Sequence, residues 1–190
     1  MILIKPFFLL LLTFCSIVHA DDTLPQWTIV PSESSITFIG TQNNAPVTGA
    51  FKSFSGTIFA DPIKYQDSRV DIVVQMNSLS VTYAELATIL ITPEWFNVKA
   101  FPKAEFKSSK FTKVNDKTYD AVGMLTIKNK SIPTTLTFTA TESPKNHIVV
   151  EGHTTIKRTA FGVGEGEWST TDVVKDDVTI NFKIAAMRKE

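Results

Sequence analysis

The strongest constraint on this chain is a two-residue rhythm. In Asp177–Ala186, Val178, Ile180, Phe182 and Ile184 alternate with Thr179, Asn181 and Lys183. In Thr134–Ala140, Leu136 and Phe138 alternate with Thr135, Thr137 and Thr139. Successive side chains of an extended strand point to opposite faces, so each segment presents one apolar and one polar face. That is the pattern of a strand half-buried in an antiparallel sheet. Further strands are predicted at Trp27–Val30, Ser35–Thr41, Val47–Phe54, Gly56–Ala60, Arg69–Met76, Ala104–Phe111, Tyr119–Ile127 and Ile148–Ile156. Turn signals separate them at Asp61-Pro62, Asn115-Asp116, Lys128-Asn129 and Ser143–Asn146. No internal repeat or linker stands out, and the expectation is one antiparallel all-β domain.

One segment follows a different period. Thr82-Tyr83-Ala84-Glu85 reads as a capping box, and Tyr83, Leu86, Ala87 and Leu90 then share a helical face. Pro93 restrains the residue before it, so a helix is predicted over residues 83–91. A short turn, Pro93–Asn97, follows with Trp95 and Phe96. The helix can plug one end of a barrel or act as a lid over a cavity. Spacing leaves both readings open.

The first twenty residues, MILIKPFFLLLLTFCSIVHA, have a lone Lys5, an apolar run and a Val18-His19-Ala20 ending. They are expected to be a cleavable signal peptide, residues 1–20, with the domain at 21–190. The run is shorter than the ~20 residues of a membrane span. Phe14 stands before Cys15 where lipoprotein signals place a small residue. Cleavage removes Lys5 and no acid from a balance of 19 basic and 19 acidic residues, leaving 18 against 19. A near-neutral chain is a poor electrostatic binder of nucleic acid. The single cysteine, Cys15, leaves with the signal, so no disulfide or thiolate metal site is expected.

Enzyme signatures are missing. There is no Gly-x-Ser-x-Gly elbow, phosphate loop or His-Glu-x-x-His. Gly162, Gly164 and Gly166 suggest a turn or bulge. His147 and His153 are six residues apart, roughly 20 Å along a strand at ~3.3 Å per residue, too far to share a metal. The adjacent acids Asp176 and Asp177 face opposite ways in extended chain, and Glu165 and Glu167 read as solvated charge. No catalysis, metal or cofactor is expected.

Phenylalanine is in excess: 14 residues against 3 Trp and 3 Tyr, with 11 Phe after residue 20. A closed barrel of about eight strands can be filled by side chains or hold one small ligand. Phe suits both a solid core and an apolar lining, and composition does not choose between them.

The motifs add to this. Ser34–Phe38, then Val47, Gly49, Phe51, Phe54 and Gly56, resemble the opening of the YceI-like family of exported, lipocalin-like proteins. The resemblance continues through Trp95-Phe96-Asn97-Val98, Phe101-Pro102, Phe106, Tyr119 to Ile127, Arg158 and Phe161-Gly162. The segment Gly40–Val47 resembles the branch found with membrane b-type cytochromes. The resemblance implies a lipocalin-like antiparallel barrel, with the short helix near one end, whose apolar interior binds a polyisoprenoid chain or quinone tail in the bacterial periplasm. Many members carry Arg-Asp where this chain has Leu86-Ala87, and Asp where it has Ala160.

The expected function is therefore binding, transport or storage of an isoprenoid lipid, with Phe38, Phe51, Phe54, Leu86, Leu90, Trp95, Phe96 and Phe138 as lining residues. The bound lipid is the only ligand expected. A membrane b-type cytochrome is the protein partner the resemblance suggests, and monomer or homodimer is left open. The rival readings are an outer-membrane β-barrel and a small periplasmic enzyme with an unrecognised site.

Overall fold

The computed structural model describes residues 24–143 and 146–189. The expected signal peptide lies outside the described residues, as do residues 144 and 145 of one expected turn. Eleven strands and one α-helix make up the fold of the described residues. They are β1 (Gln26–Ile29), β2 (Ser35–Gln42), β3 (Ala45–Phe51), β4 (Phe54–Phe59), β5 (Arg69–Gln75) and β6 (Leu79–Val81). After α1 (Ala84–Leu90) come β7 (Lys103–Lys113), β8 (Thr118–Ile127), β9 (Lys130–Ser143), β10 (His147–Lys157) and β11 (Asp177–Arg188).

All pairings are antiparallel. The ring β1-β4-β5-β7-β8-β9-β10-β11 closes through β11 and β1, giving an eight-stranded barrel. β2, β3 and β6 extend its wall at one end. β11 reaches both parts: residues 186–188 pair with β1, and residues 179–183 pair with β2. The first three staves of the barrel are thus kinked strands. β1 and β2 are separated by a helical turn at Pro31–Glu33. Ser34 stitches that kink, its Oγ donating to Val30 O at 2.8 Å and accepting from Ala185 N at 2.9 Å.

The ten predicted strands are present, with three differences. The expected strand Val47–Phe54 breaks at residues 52–53, where Lys52 N donates to Ser78 O and Ser53 N to Ser78 Oγ. The three-residue β6 was not predicted, because it is too short to show a period. In β7 a bulge at Ser109, between the pairs Ser108–Gly123 and Lys110–Val122, resets the alternation. Ala104 and Phe106 therefore share the inner face with Phe111, which would otherwise point outward.

The helix is shorter than predicted, and the capping box does not form. Tyr83, not Thr82, is the N-cap, and no side-chain cap bond is made. A seven-residue helix is held mainly by packing of its apolar face, here Leu86 and Leu90, so it does not depend on a cap. Both two-residue hairpins, at Asn43-Asn44 and Lys128-Asn129, have positive φ at both residues, the type I′ geometry that matches strand twist. Gly162, Gly164 and Gly166 all have positive φ, as the turn expectation requires. Gly49 meets a different need. A Cβ there would collide with the Phe38 ring and Val81, so glycine lets that ring lie flat across β3.

Candidate functional site: an apolar cavity along the barrel

The inner faces of the strands do not meet. They enclose a cavity of about 820 Å³ that runs from the helix end to the loop at residues 60–68. Ten of the eleven described strands contribute, β6 being the exception. β11 supplies Val178, Ile180, Phe182 and Ile184, and β10 supplies Ile148, Val150 and Ile156. Leu125, Leu136, Ile72 and Val74 continue the wall. At ~3.3 Å per residue and a tilt near 40°, the 11 residues of β7 give the barrel a height of roughly 25–30 Å.

At the helix end, β6 pairs with β3 alone among the described strands, and α1 with residues 91–102 completes the wall toward β7. This is where most of the expected lining residues converge. Leu86 and Leu90 face inward from α1, and Trp95 and Phe96 follow on the next turn. Phe96 N donates to Leu90 O at 3.0 Å, which ties that turn to the helix. Phe38, Phe51 and Phe96 form a triangle with ring centroids 5.8, 6.0 and 6.4 Å apart. Behind them Met76, Leu90, Trp95, Ala104, Ile127, Phe161 and Val163 pack into a solid cluster. Thus the helix region is both plug and lining: Leu90 and Trp95 belong to the packed cluster and also touch the cavity.

Phe138 lies nearer the opposite end. It stacks on Tyr119 at 5.7 Å and meets Phe111 edge-on at 6.4 Å, while Tyr65 packs on Tyr119 at 5.6 Å. Tyr65 comes from a helical turn in the loop at residues 60–68, so a loop covers this end as the helix covers the other. Seven of the eight expected residues bound the cavity, and Phe54 does not. Phe54 pairs with Val74 and so belongs to the inner face by register, but it starts β4 directly after the break at residues 52–53. A break in the wall does not show in the motif that carries Phe54. Sequence reasoning missed Tyr65, Phe111, Tyr119 and Phe182. The alternation around Phe182 would have found it, whereas Phe111 depends on the bulge.

Polar chemistry is confined to the ends. Arg158 follows β10 and is 2% exposed. Its guanidinium has five N–H donors, and each meets a backbone carbonyl. Nε donates to Lys175 O at 3.1 Å, Nη1 to Val163 O at 2.9 Å and Gly164 O at 3.2 Å, and Nη2 to Thr170 O and Val174 O, both at 2.8 Å. Arg158 therefore gathers the loop between β10 and β11 around one side chain. Burial pushes the guanidinium below its ordinary pKa, and the nearby Asp176 charge opposes that. Burial also acts against the Asp176 carboxylate. It is outweighed by bonds from Thr159 N and Oγ1, at 3.0 and 2.8 Å, and by Lys157 and Arg158, which together hold it below the usual carboxylate range.

Lys128, 7% exposed at its side chain, is occupied in the same way by Pro93 O, Gly162 O and Glu165 Oε2. Glu165, read from sequence as solvated, is thus the ion-pair partner of a buried lysine. Trp95 Nε1 is buried without a hydrogen-bond partner. Among the described residues, no group of three or more His, Cys, Asp or Glu could hold a metal.

A closed meander of eight staves around a long apolar cavity, covered by short elements at both ends, defines a lipocalin-like barrel. The chain belongs to the YceI-like domain family, which it matches over residues 27–186. It is 26% identical over 139 residues to a UPF0312 protein of Pseudomonas putida, covering 70% of this chain and 72% of that protein. Among solved structures it is similar to BcnA of Burkholderia cenocepacia, at 31% identity and a TM-score of 0.81. That match covers 84% of this chain and 99% of BcnA. A polyisoprenoid binding domain from Saccharophagus degradans shares the fold, with a TM-score of 0.70 at 12% identity over 86% of this chain and 98% of that domain.

Proposed function

We propose that the protein binds an isoprenoid lipid, a polyprenyl or quinone tail, and carries or stores it in the bacterial periplasm without catalysis of its own. The observation that carries this reading is the cavity. It is long, about 820 Å³ in volume and walled by aliphatic and phenylalanine side chains, with its polar groups at the two ends. A long apolar channel suits an extended chain better than a compact ligand, and burial of apolar surface at ~25 cal/mol per Å² supplies the affinity. Ordering a flexible chain reduces that sum. The name of the Saccharophagus domain, a polyisoprenoid binding domain, points the same way. The quinone form of the reading makes a membrane b-type cytochrome the natural recipient of the cargo.

The outward faces argue against the outer-membrane alternative. They carry ion pairs, Lys157 with Asp177 at 2.7 Å, Lys183 with Glu151 at 3.3 Å and Lys107 with Glu105 at 3.2 Å. A membrane-spanning barrel turns apolar residues out and polar ones in. Here the polarity is reversed, which fits a barrel surrounded by water. The test is mass spectrometry of an organic extract of protein purified from its own host. A prenyl lipid in near-stoichiometric amount is expected. Its absence, together with no dependence of in vitro binding on tail length, would sink the proposal.

A further inference from the structure

Among the described residues, the charged residues that border the cavity are Asp61, Glu85, Glu105, Glu142, Arg158 and Lys175, and of these the Glu105 carboxylate turns outward to Lys107. Four are acids. The three besides Glu105 stand at the mouths: Glu85 on α1, and Asp61 and Glu142 at the end covered by the loop at residues 60–68. The cations do not balance them. All five donors of Arg158 are taken by carbonyls, and the buried ammonium of Lys128 is held by two carbonyls and Glu165. Lys175 is exposed, donates to Asp172 O at 3.2 Å and is followed in sequence by Asp176 and Asp177. Neutral hydrogen-bonding groups are available at the same mouths, on Thr41, Gln42 and Thr82 at one and on Tyr65 at the other.

We propose that the cavity selects isoprenoid lipids with an uncharged head, such as a prenyl alcohol or a quinone, over the prenyl diphosphate of the same chain length. This inference rests on the isoprenoid reading above. A diphosphate head brings two or three negative charges to a mouth that offers carboxylates and no unoccupied buried cation. An anion drawn into the barrel would lose water without gaining a partner, and one left at the rim would face like charge. An alcohol or a carbonyl meets neither difficulty.

The test uses delipidated protein and displacement of a bound fluorescent apolar probe by geranylgeraniol and by geranylgeranyl diphosphate. The alcohol should compete at least tenfold more strongly at low ionic strength, and added salt should narrow the gap, because rim repulsion is screened. Glu85→Lys or Glu142→Lys should move the affinity ratio several-fold toward the diphosphate. Equal or stronger competition by the diphosphate overturns the selectivity and leaves the carrier reading standing. A ratio unmoved by both substitutions and by salt overturns the rim explanation. If neither ligand displaces the probe, the carrier reading fails and this inference falls with it.

Discussion

Replacing Arg158 by methionine keeps the side chain's apolar stem and removes its five donors. Five carbonyls, those of Val163, Gly164, Thr170, Val174 and Lys175, then lose a partner. A hydrogen bond to a charged group contributes roughly 1.5–3 kcal/mol, so the gross loss is about 7 kcal/mol or more. The native arginine, however, carries a desolvation penalty of several kcal/mol that the variant escapes. Carbonyls near the surface also recover water as the loop relaxes. The net destabilisation should be about 3–4 kcal/mol, and at ~2–4 °C per kcal/mol for a domain of this size the melting temperature should fall by roughly 10 °C. Thermal and guanidinium unfolding followed by circular dichroism read the global effect. Hydrogen exchange reads the local one: protection in residues 162–175 should fall more than in β8 and β9. Arg158→Lys, with three donors in place of five, should fall between. A loss under about 1 kcal/mol with loop protection unchanged would show that Arg158 is not what holds the loop.

Three further outcomes follow from the geometry. Val150→Trp places a large ring in the middle of the cavity, where there is room for it. The fold should survive by circular dichroism while lipid recovered in an organic extract drops at least fivefold. Trp95→Phe removes a buried donor that has no partner, so the loss of ring area is offset and stability should change by no more than about 1 kcal/mol in chemical denaturation. Asp176 has its pKa depressed in the folded state. Its stabilisation is therefore present above the unfolded value near ~3.9 and is lost as pH falls through the lower folded value. Acid titration should show wild-type stability declining below about pH 4, and Asp176→Asn should flatten that decline.

Much of the barrel was legible because period-2 alternation is a direct image of a wall with one apolar face. Asp177–Ala186 pointed Val178, Ile180, Phe182 and Ile184 to one side, and those four side chains face the cavity. The helix was legible in place but not in its cap. Thr82 and Glu85 have the right spacing, yet the backbone enters α1 one residue later, and a local motif yields to packing when they disagree. What stayed hidden were departures from regularity. The bulge at Ser109 turns Phe111 inward, the break at residues 52–53 leaves Phe54 off the cavity surface, and the turn at Tyr65 closes an end from a loop with no periodic signal. Arg158 lay in a recognisable motif, but its five carbonyl partners come from three stretches of one irregular loop that no spacing rule predicts.

The phenylalanine excess, ambiguous in composition, is decided by where the rings lie. Phe38, Phe51, Phe96, Phe106, Phe111, Phe138 and Phe182 bound the cavity. Phe161, 1% exposed, is packed in the solid cluster, and Phe59 lies beneath Arg69 at 4.4 Å. In a collapsed core a void costs ~24 cal/mol per Å³. At that rate a space of about 820 Å³ would outweigh the ~5–15 kcal/mol that holds a whole domain together. The cavity is therefore not a packing defect in a core that failed to close. The wall is held apart by its closed ring of backbone hydrogen bonds, and the packed clusters stabilise its flanks without filling its axis. A chain that needed only stability could have placed larger side chains opposite Val150, Ile72 and Val74. Rings without a polar atom set around an unfilled axis are the surroundings that the proposed long, apolar guest would meet.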